Sequence, residues 1–310
     1  MTEATVSSGP VDVVIPTLGR RADTLGHAVA SVLDQEGADV NSVIVVLDDP
    51  EADLGAPPEL ESPLVRVIPN ERAGDTSARQ VGVEHASAPW IAFLDDDDVW
   101  EPDKLRKQGA LAHATEAQNR LIVSSRSSHV MDGSPGPGLP GRLIADDEPV
   151  AHYLFHKRSP RVDRPSLFTS SLLVSRDLCE QVPWRRIPRH QDWDWLLRAE
   201  RAGARVIQHP DVLVRIRVGS PGSISRSPDW ASSLEWAQET LAPHEDSRLT
   251  ADFLASQTLR YALTGRSGRG ARASVGAIRA TGTVPHAGSI MVGAAGLLPV
   301  SALRRLLTRR

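Results

Sequence analysis

Apolar residues fall in short blocks separated by polar turns, and the spacing inside each block predicts an element. Val11–Ile15 (VDVVI) is a β-branched run closed by Pro16 and Thr17, a strand that ends at a loop. Between Asp23 and Leu33, apolar residues at Leu25, Ala28, Val29, Val32 and Leu33 follow helical spacing. Ser42–Leu47 (SVIVVL) reads as a second buried strand ending at Asp48 and Asp49, and Leu64–Ile68 (LVRVI) as a third. Asp75 is placed to cap a helix from about Thr76 to His85, and Trp90–Leu94 makes a fourth strand. Strand, helix, strand, strand, helix, strand, with acidic residues after two of the strands, predicts an α/β nucleotide-binding half.

The texture changes from about Leu121. Leu121–Ser124, Leu167–Val174, Arg205–Ile207 and Val212–Arg217 read as strands, and Asp132–Gly141 (DGSPGPGLPG) as a Gly/Pro loop. Gln191–Gly203 (QDWDWLLRAERAG) reads as a helix with Gly203 at its C-terminal end. Beyond about Trp230 the pattern is largely helical. The implied organisation is a tail at 1–10, a domain at 11–230 that divides into halves at 11–120 and 121–230, and a helical extension at 231–310.

The fourth strand carries the strongest chemical signal. WIAFLDDDDVW runs from apolar residues straight into Asp95, Asp96, Asp97 and Asp98. Four adjacent carboxylates repel unless a cation compensates them. At the carboxyl end of a buried strand they offer hard oxygen ligands for Mg²⁺ or Mn²⁺, which hold phosphates. A merely solvated acidic loop is the alternative. The first strand is followed by PTLGRR rather than a dinucleotide glycine fingerprint, and no GxxxxGK[ST] occurs.

Composition narrows the setting. A formal net charge of −4 gives no reason to expect nucleic-acid binding by bulk electrostatics. The single cysteine, Cys179, sits among apolar neighbours, which fits a buried thiol in a reducing compartment. The polar N-terminus has no secretory apolar core. Together these predict a cytoplasmic location. Ile290–Val300 is too short to span a bilayer, but with Arg304, Arg305, Arg309 and Arg310 behind it, it suits either a packed helix or peripheral contact with an anionic membrane surface.

Five stretches in order, VVIPTLGR, VIVVLDDP, NERAGDTSARQVGVEHA, IAFLDDDDVW and HQDWDWLLRAERAG, resemble the family 2 glycosyltransferases of the GT-A fold over roughly Val11–Ser225. The resemblance implies a Rossmann-like mixed sheet flanked by helices. It also implies inverting transfer of a sugar from a nucleoside-diphosphate sugar to a glycan or lipid-linked acceptor. By the same resemblance, Pro16, Thr17, Asp48, Asp49, Asp75, Arg79, Asp95 and Asp96 contact the nucleotide sugar. Asp97, with Asp95, holds a divalent cation (Mn²⁺ or Mg²⁺), and Asp192 is the base; Asp96 and Asp98 leave the aspartate register open. Two departures stand out. Gln191 replaces the usual Glu before the base, and VRIRVGSPGSIS lacks the usual His, so Arg215, Arg217 or water would complete the charge balance, with His209 a weaker candidate. Trp193 and Trp195 suit either sugar stacking or the core. The competing classes are a non-catalytic nucleotide-sugar binder and a metal-dependent nucleotidyl or phosphoryl transferase.

Overall fold

The computed structural model describes residues 9–55, 57–73, 77–115, 118–131, 133–157, 165–218 and 227–298. They form two units: a larger one from Met1–Asp147, Arg164–Arg186 and Gln191–Val218, and a smaller one from Glu148–Asp163, Ile187–His190 and Gly219–Arg310.

The larger unit is built on β1 (Val11–Thr17), β2 (Val40–Leu47), β3 (Val65–Pro69), β4 (Trp90–Phe93), β5 (Val99–Trp100), β6 (Leu121–Met131), β7 (Ser134–Leu139), β8 (Leu173–Ser175) and β9 (Arg205–Arg217). They make one sheet in the order β3-β2-β1-β4-β8-β6-β9-β5, with β7 added on β6. β3, β2, β1 and β4 are parallel, whereas β8 runs antiparallel to β4 and β6. Its helices are α1 (Ala22–Leu33), α2 (Ala78–Glu84), α3 (Lys104–His113), α5 (Arg176–Gln181) and α6 (Gln191–Arg201), with α4 (Val150–Phe155) in the smaller unit. Parallel strands are covered on both faces, which is why Val11, Val13, Val14, Ile15 and Val43–Val46 are all buried. The approach of α2 is close: a Cβ on Gly82 would lie 2.2 Å from Val14 Cγ1.

The chain leaves β1 for β2 on one side, while β4 pairs on the other. The crevice outside the carboxyl ends of β1 and β4 is therefore a topological switch point, where open α/β sheets bind ligands. Thr17 ends β1 there and Asp95 follows β4.

Several boundaries differ from those predicted. α2 starts at Ala78, with Ser77 extended at the cap position (φ −64, ψ 137), so the helix does not begin at an Asp75 cap; Asp75 lies outside the described residues. Most of the Gly/Pro loop is β7, an edge strand, where prolines without an N–H are tolerated. The strand predicted over 167–174 is reduced to β8, preceded by a turn at Thr169–Ser171. There Ser171 Oγ donates to the Phe168 carbonyl at 2.7 Å and so favours the turn over a strand. The strands expected at 205–207 and 212–217 are one strand, β9, whose register shifts opposite Ser125–Ser127.

The smaller unit is helical, as expected beyond Trp230. Besides α4 it contains α7 (Trp230–Trp236), α8 (Ser247–Phe253), α9 (Arg260–Thr264), α10 (Gly268–Ala280) and α11 (Ala287–Ala294). Wider π turns at Ala237–Leu241 and Leu254–Leu259 continue α7 and join α8 to α9. Asp229 and Asp246 cap α7 and α8 by accepting from Ser232 N and Leu249 N. Phe155, Trp236 and Phe253 pack edge to face or tilted in its core, 5.0–6.3 Å apart. No helix among the described residues is long and apolar enough to cross a membrane.

Candidate active site

The loop after β1 and the aspartates after β4 meet at the switch point. Thr17 Oγ1 donates to Asp96 Oδ2 at 2.6 Å and accepts from Gly19 N at 3.1 Å. Gly19 is left-handed (φ +69), and a Cβ there would meet that of Ala52 at 2.7 Å, so this turn needs glycine. Beyond it, Arg21 reaches Asp97 Oδ2 at 2.6 Å and Asp96 Oδ1 at 3.5 Å. Arg21 is a site residue that sequence reasoning passed over, although GRR directly after the strand-end threonine was a visible signal. Pro16 lies within β1, paired with Val46.

The four aspartates have different fates. Asp98 is buried, accepting from Ser170 Oγ at 2.6 Å and from the Arg217 backbone N–H at 2.9 Å. Burial, reinforced by the charge of Asp95, pushes its carboxyl well above the ordinary carboxylate range. Asp98 therefore ties β9 and the 169–171 turn to the end of β4. Asp96 is also raised, first by burial and then by the charge of Asp97, against the Thr17 hydrogen bond and Arg21. Asp95, the more exposed, and Asp97 are each held by a guanidinium, Arg79 at 2.5 Å and Arg21 at 2.6 Å.

Arg79, in the first turn of α2, is the hub. Its Nη2 binds Asp95 and its Nη1 lies 3.9 Å from Asp192 Oδ1. Burial alone would weaken its charge, but Asp95, Asp192 and Asp48 more than restore it, so the guanidinium is a permanent cation. Trp184 backs it at 5.4 Å. Arg79 Nε is buried with no hydrogen-bond partner. A buried orphan donor is costly unless a ligand takes it.

Asp192 and Asp194 separate cleanly on α6. Asp194 is buried and locked by Arg198 at 2.8 Å and Arg185 at 3.8 Å. Asp192 faces Arg79, and its side chain remains 38% exposed. Its carboxyl is raised by desolvation, opposed by Arg79 and reinforced by Asp95. Trp195 belongs to the core, stacked on Trp184 at 4.8 Å and donating to the Val182 carbonyl.

Asp48 is held by Asn70 at 2.7 Å and by Arg186 at 3.0 Å, another arginine not foreseen. Asp49 pairs with Arg20 at 3.6 Å. Arg215 is turned to Glu101 at 3.0 Å, and Arg217 meets Asp98 through its backbone. Of the two arginines expected to balance charge, Arg215 is thus engaged elsewhere, while Arg21 and Arg79 stand among the aspartates. His209 accepts from Asp211 N at 3.1 Å within its own turn. Cys179 is buried, and desolvation pushes its thiol up, as expected of a structural cysteine.

A mixed sheet with this strand order and an acidic cluster at the β1/β4 switch point defines a GT-A protein. The fold is that of Staphylococcus aureus TarS residues 1–349, solved in complex with UDP-GlcNAc (TM-score 0.63, 14% identity, 97% of this chain and 93% of that chain). Residues 12–141 match the model of glycosyl transferase family 2. The amylovoran biosynthesis glycosyltransferase AmsB of Erwinia amylovora is 26% identical over 82% of this chain and 85% of its own length. The Escherichia coli UDP-Glc:alpha-D-GlcNAc-diphosphoundecaprenol beta-1,3-glucosyltransferase WfgD is 34% identical over 32% of this chain and 39% of its own length. Over residues 12–141 the chain is thus similar to the family 2 glycosyltransferases, and the relatives it matches are named glycosyltransferases.

Proposed function

We propose that the enzyme transfers a sugar from a nucleoside-diphosphate donor to a hydroxyl of a glycan or lipid-linked precursor, with inversion, during polysaccharide or cell-wall assembly. The observation that carries this reading is Arg79, whose guanidinium joins donor-side Asp95 to acceptor-side Asp192. The relatives lend support: AmsB is an amylovoran biosynthesis glycosyltransferase, WfgD by its name uses UDP-Glc and a diphosphoundecaprenol acceptor, and TarS binds UDP-GlcNAc.

In this reading Asp48, Asp49, Pro16 and Thr17 border the nucleoside, while Asp95, Asp96 and Arg79 line the ribose and diphosphate; Asp75, outside the described residues, is assigned to the nucleotide sugar by the resemblance alone. The donor set fits a divalent cation: hard carboxylate oxygens of Asp97 and Asp95 whose mutual repulsion Arg21 and Arg79 partly offset. Mn²⁺ or Mg²⁺ held there would neutralise charge developing on the leaving diphosphate. Arg79 shares that task through a fixed cation already in place. Asp192 takes the proton of the acceptor hydroxyl as its oxygen bonds to the anomeric carbon. The bond from that carbon to the diphosphate oxygen breaks on the opposite face, and the nucleoside diphosphate departs. A raised pKa makes Asp192 a better proton acceptor than an ordinary aspartate.

Nucleotide sugars are cytoplasmic, and the enzyme acts on that side of the membrane. Exposed Ile290 and Met291 on α11 precede the arginine-rich C-terminus, which lies outside the described residues, and suit peripheral contact with an anionic leaflet. The test is release of nucleoside diphosphate from UDP-sugars with Mn²⁺, with and without acceptor. EDTA should abolish it; metal-independent release, or release unchanged in Asp192→Asn, would refute the reading.

A further inference from the structure

In the helical unit, three elements far apart in sequence bring two imidazoles to one carboxylate. Asp252 on α8 is completely buried. Its Oδ2 lies 2.7 Å from Nδ1 of His286, at the cap of α11, and 3.8 Å from Nδ1 of His156, at the end of α4. One ligand atom from each residue falls within 4.8 Å of the other two. The second oxygen, Oδ1, accepts the His286 backbone N–H at 2.7 Å, which fixes the orientation of the carboxylate and leaves Oδ2 facing the rings. One turn before His156, His152 stacks on it with centroids 5.4 Å apart and lies 3.4 Å from Asp246 at the start of α8.

We infer that His156, Asp252 and His286 form a binding site for a transition-metal cation of the Zn²⁺ class. A buried carboxylate must be paired, and among the described residues both ion-pair partners of Asp252 are histidines. Two nitrogens and one oxygen make a borderline ligand set. It suits Zn²⁺ or a similar ion rather than Mg²⁺ or Ca²⁺, which take oxygen. Bonds of about 2.0–2.1 Å to a tetrahedral ion put ligand atoms about 3.3–3.5 Å apart. The observed 2.7 and 3.8 Å from Asp252 bracket that separation, and all three ligand atoms lie within 4.8 Å of one another, so binding requires the two rings to draw in around the carboxylate. The cation replaces the proton shared by Asp252 Oδ2 and His286 Nδ1, which passes to solvent, and water completes the coordination. The carboxylate bonded to the His286 backbone serves as the orienting contact that such sites use. The ion ties the end of α4 to α8 and the start of α11.

The inference is independent of the sugar-transfer reading, so its test reads metal and stability rather than activity. Tag-free protein is dialysed against micromolar Zn²⁺ with millimolar Mg²⁺ present to occupy all-oxygen sites, and bound zinc is measured by elemental analysis. Co²⁺ replaces Zn²⁺ in a parallel sample for visible absorption. The expected result is about one equivalent of zinc, a visible Co²⁺ band and a raised thermal midpoint, in the native protein and in Asp97→Asn alike. His156→Ala leaves the Asp252–His286 bond in place, so it should fold; it should bind at least about tenfold more weakly and lose the Co²⁺ band. His286→Ala should do the same. No bound zinc in the native protein, or equal binding in His156→Ala, would overturn the inference.

Discussion

At the amino-terminal edge of the sheet, Asp12 is fully buried yet accepts hydrogen bonds from Asn41, Ser42, Ser87 N and Ala88 N at 2.6–2.7 Å. At the carboxyl-terminal edge, Asp96 and Asp98 are also enclosed, but beside other carboxylates. Burial works against ionisation at both edges. At Asp12 the bonds from Ala88, Ser42, Asn41 and Ser87 outweigh it, and the pKa falls. At Asp96 and Asp98 neighbouring charges add to it, and the pKa rises. Asp12 is saturated by fixed neutral donors, whereas the aspartates after β4 sit in surplus negative charge, with Arg21 and Arg79 in partial balance, so that a cationic ligand has something to gain.

The contrast breaks first at Asp97. Asp97→Asn should lower transfer by about three orders of magnitude and remove the Mn²⁺ dependence of donor binding, with an unchanged circular dichroism spectrum. Steady-state kinetics that keep wild-type turnover would move the metal role to another aspartate. On α6, Asp192→Asn should reduce kcat about a hundredfold or more with donor KM preserved. Asp194→Asn separates the two kinds of carboxylate within one helix. It should cost about 3 kcal/mol of stability by breaking a buried pair with Arg198, while turnover per folded molecule stays within a fewfold. The reverse pattern in urea melts and assays would make Asp194 the base.

Asp12→Asn should destabilise the fold by about 2 kcal/mol, read from the urea midpoint, with no change in KM for the donor. The sign with pH follows from its lowered folded-state pKa. Its stabilisation is complete above the ordinary value of 3.8 and is lost as pH falls through the lower folded value. Asp98, raised in the folded state, has the opposite sense and costs stability as pH climbs from the ordinary value through the raised one. The smallest effect concerns the acid limb of kcat. Because burial raises Asp192, activity should appear at a pH above the ordinary aspartate range, and Arg79→Met, removing the opposing charge, should move that limb further up. A limb that stays put would detach Asp192 from Arg79.

Much of this was legible in the chain because it depends on local pattern. Buried parallel strands need continuous β-branched runs, so β1, β2 and β4 announced themselves, and the aspartate run after β4 and the QDWDW helix start stood out by their local pattern. The short pieces were less legible: β5, two residues long, is not predicted from the sequence at all, and β8, three residues long, falls within a longer predicted strand; their extent is set by the partners that pair with them in the sheet. Asp192 and Asp194 look alike in sequence; helical i,i+4 spacing already offers Arg198 to Asp194, but only tertiary structure sets Asp192 against Arg79. The same holds for Arg21 and Arg186, whose long side chains reach carboxylates 76 and 138 residues away. His156, Asp252 and His286 share no motif at all. Sequence spacing encodes which residues share a helix or strand face, whereas the meeting of side chains from separate elements is set by packing, and no local pattern records it.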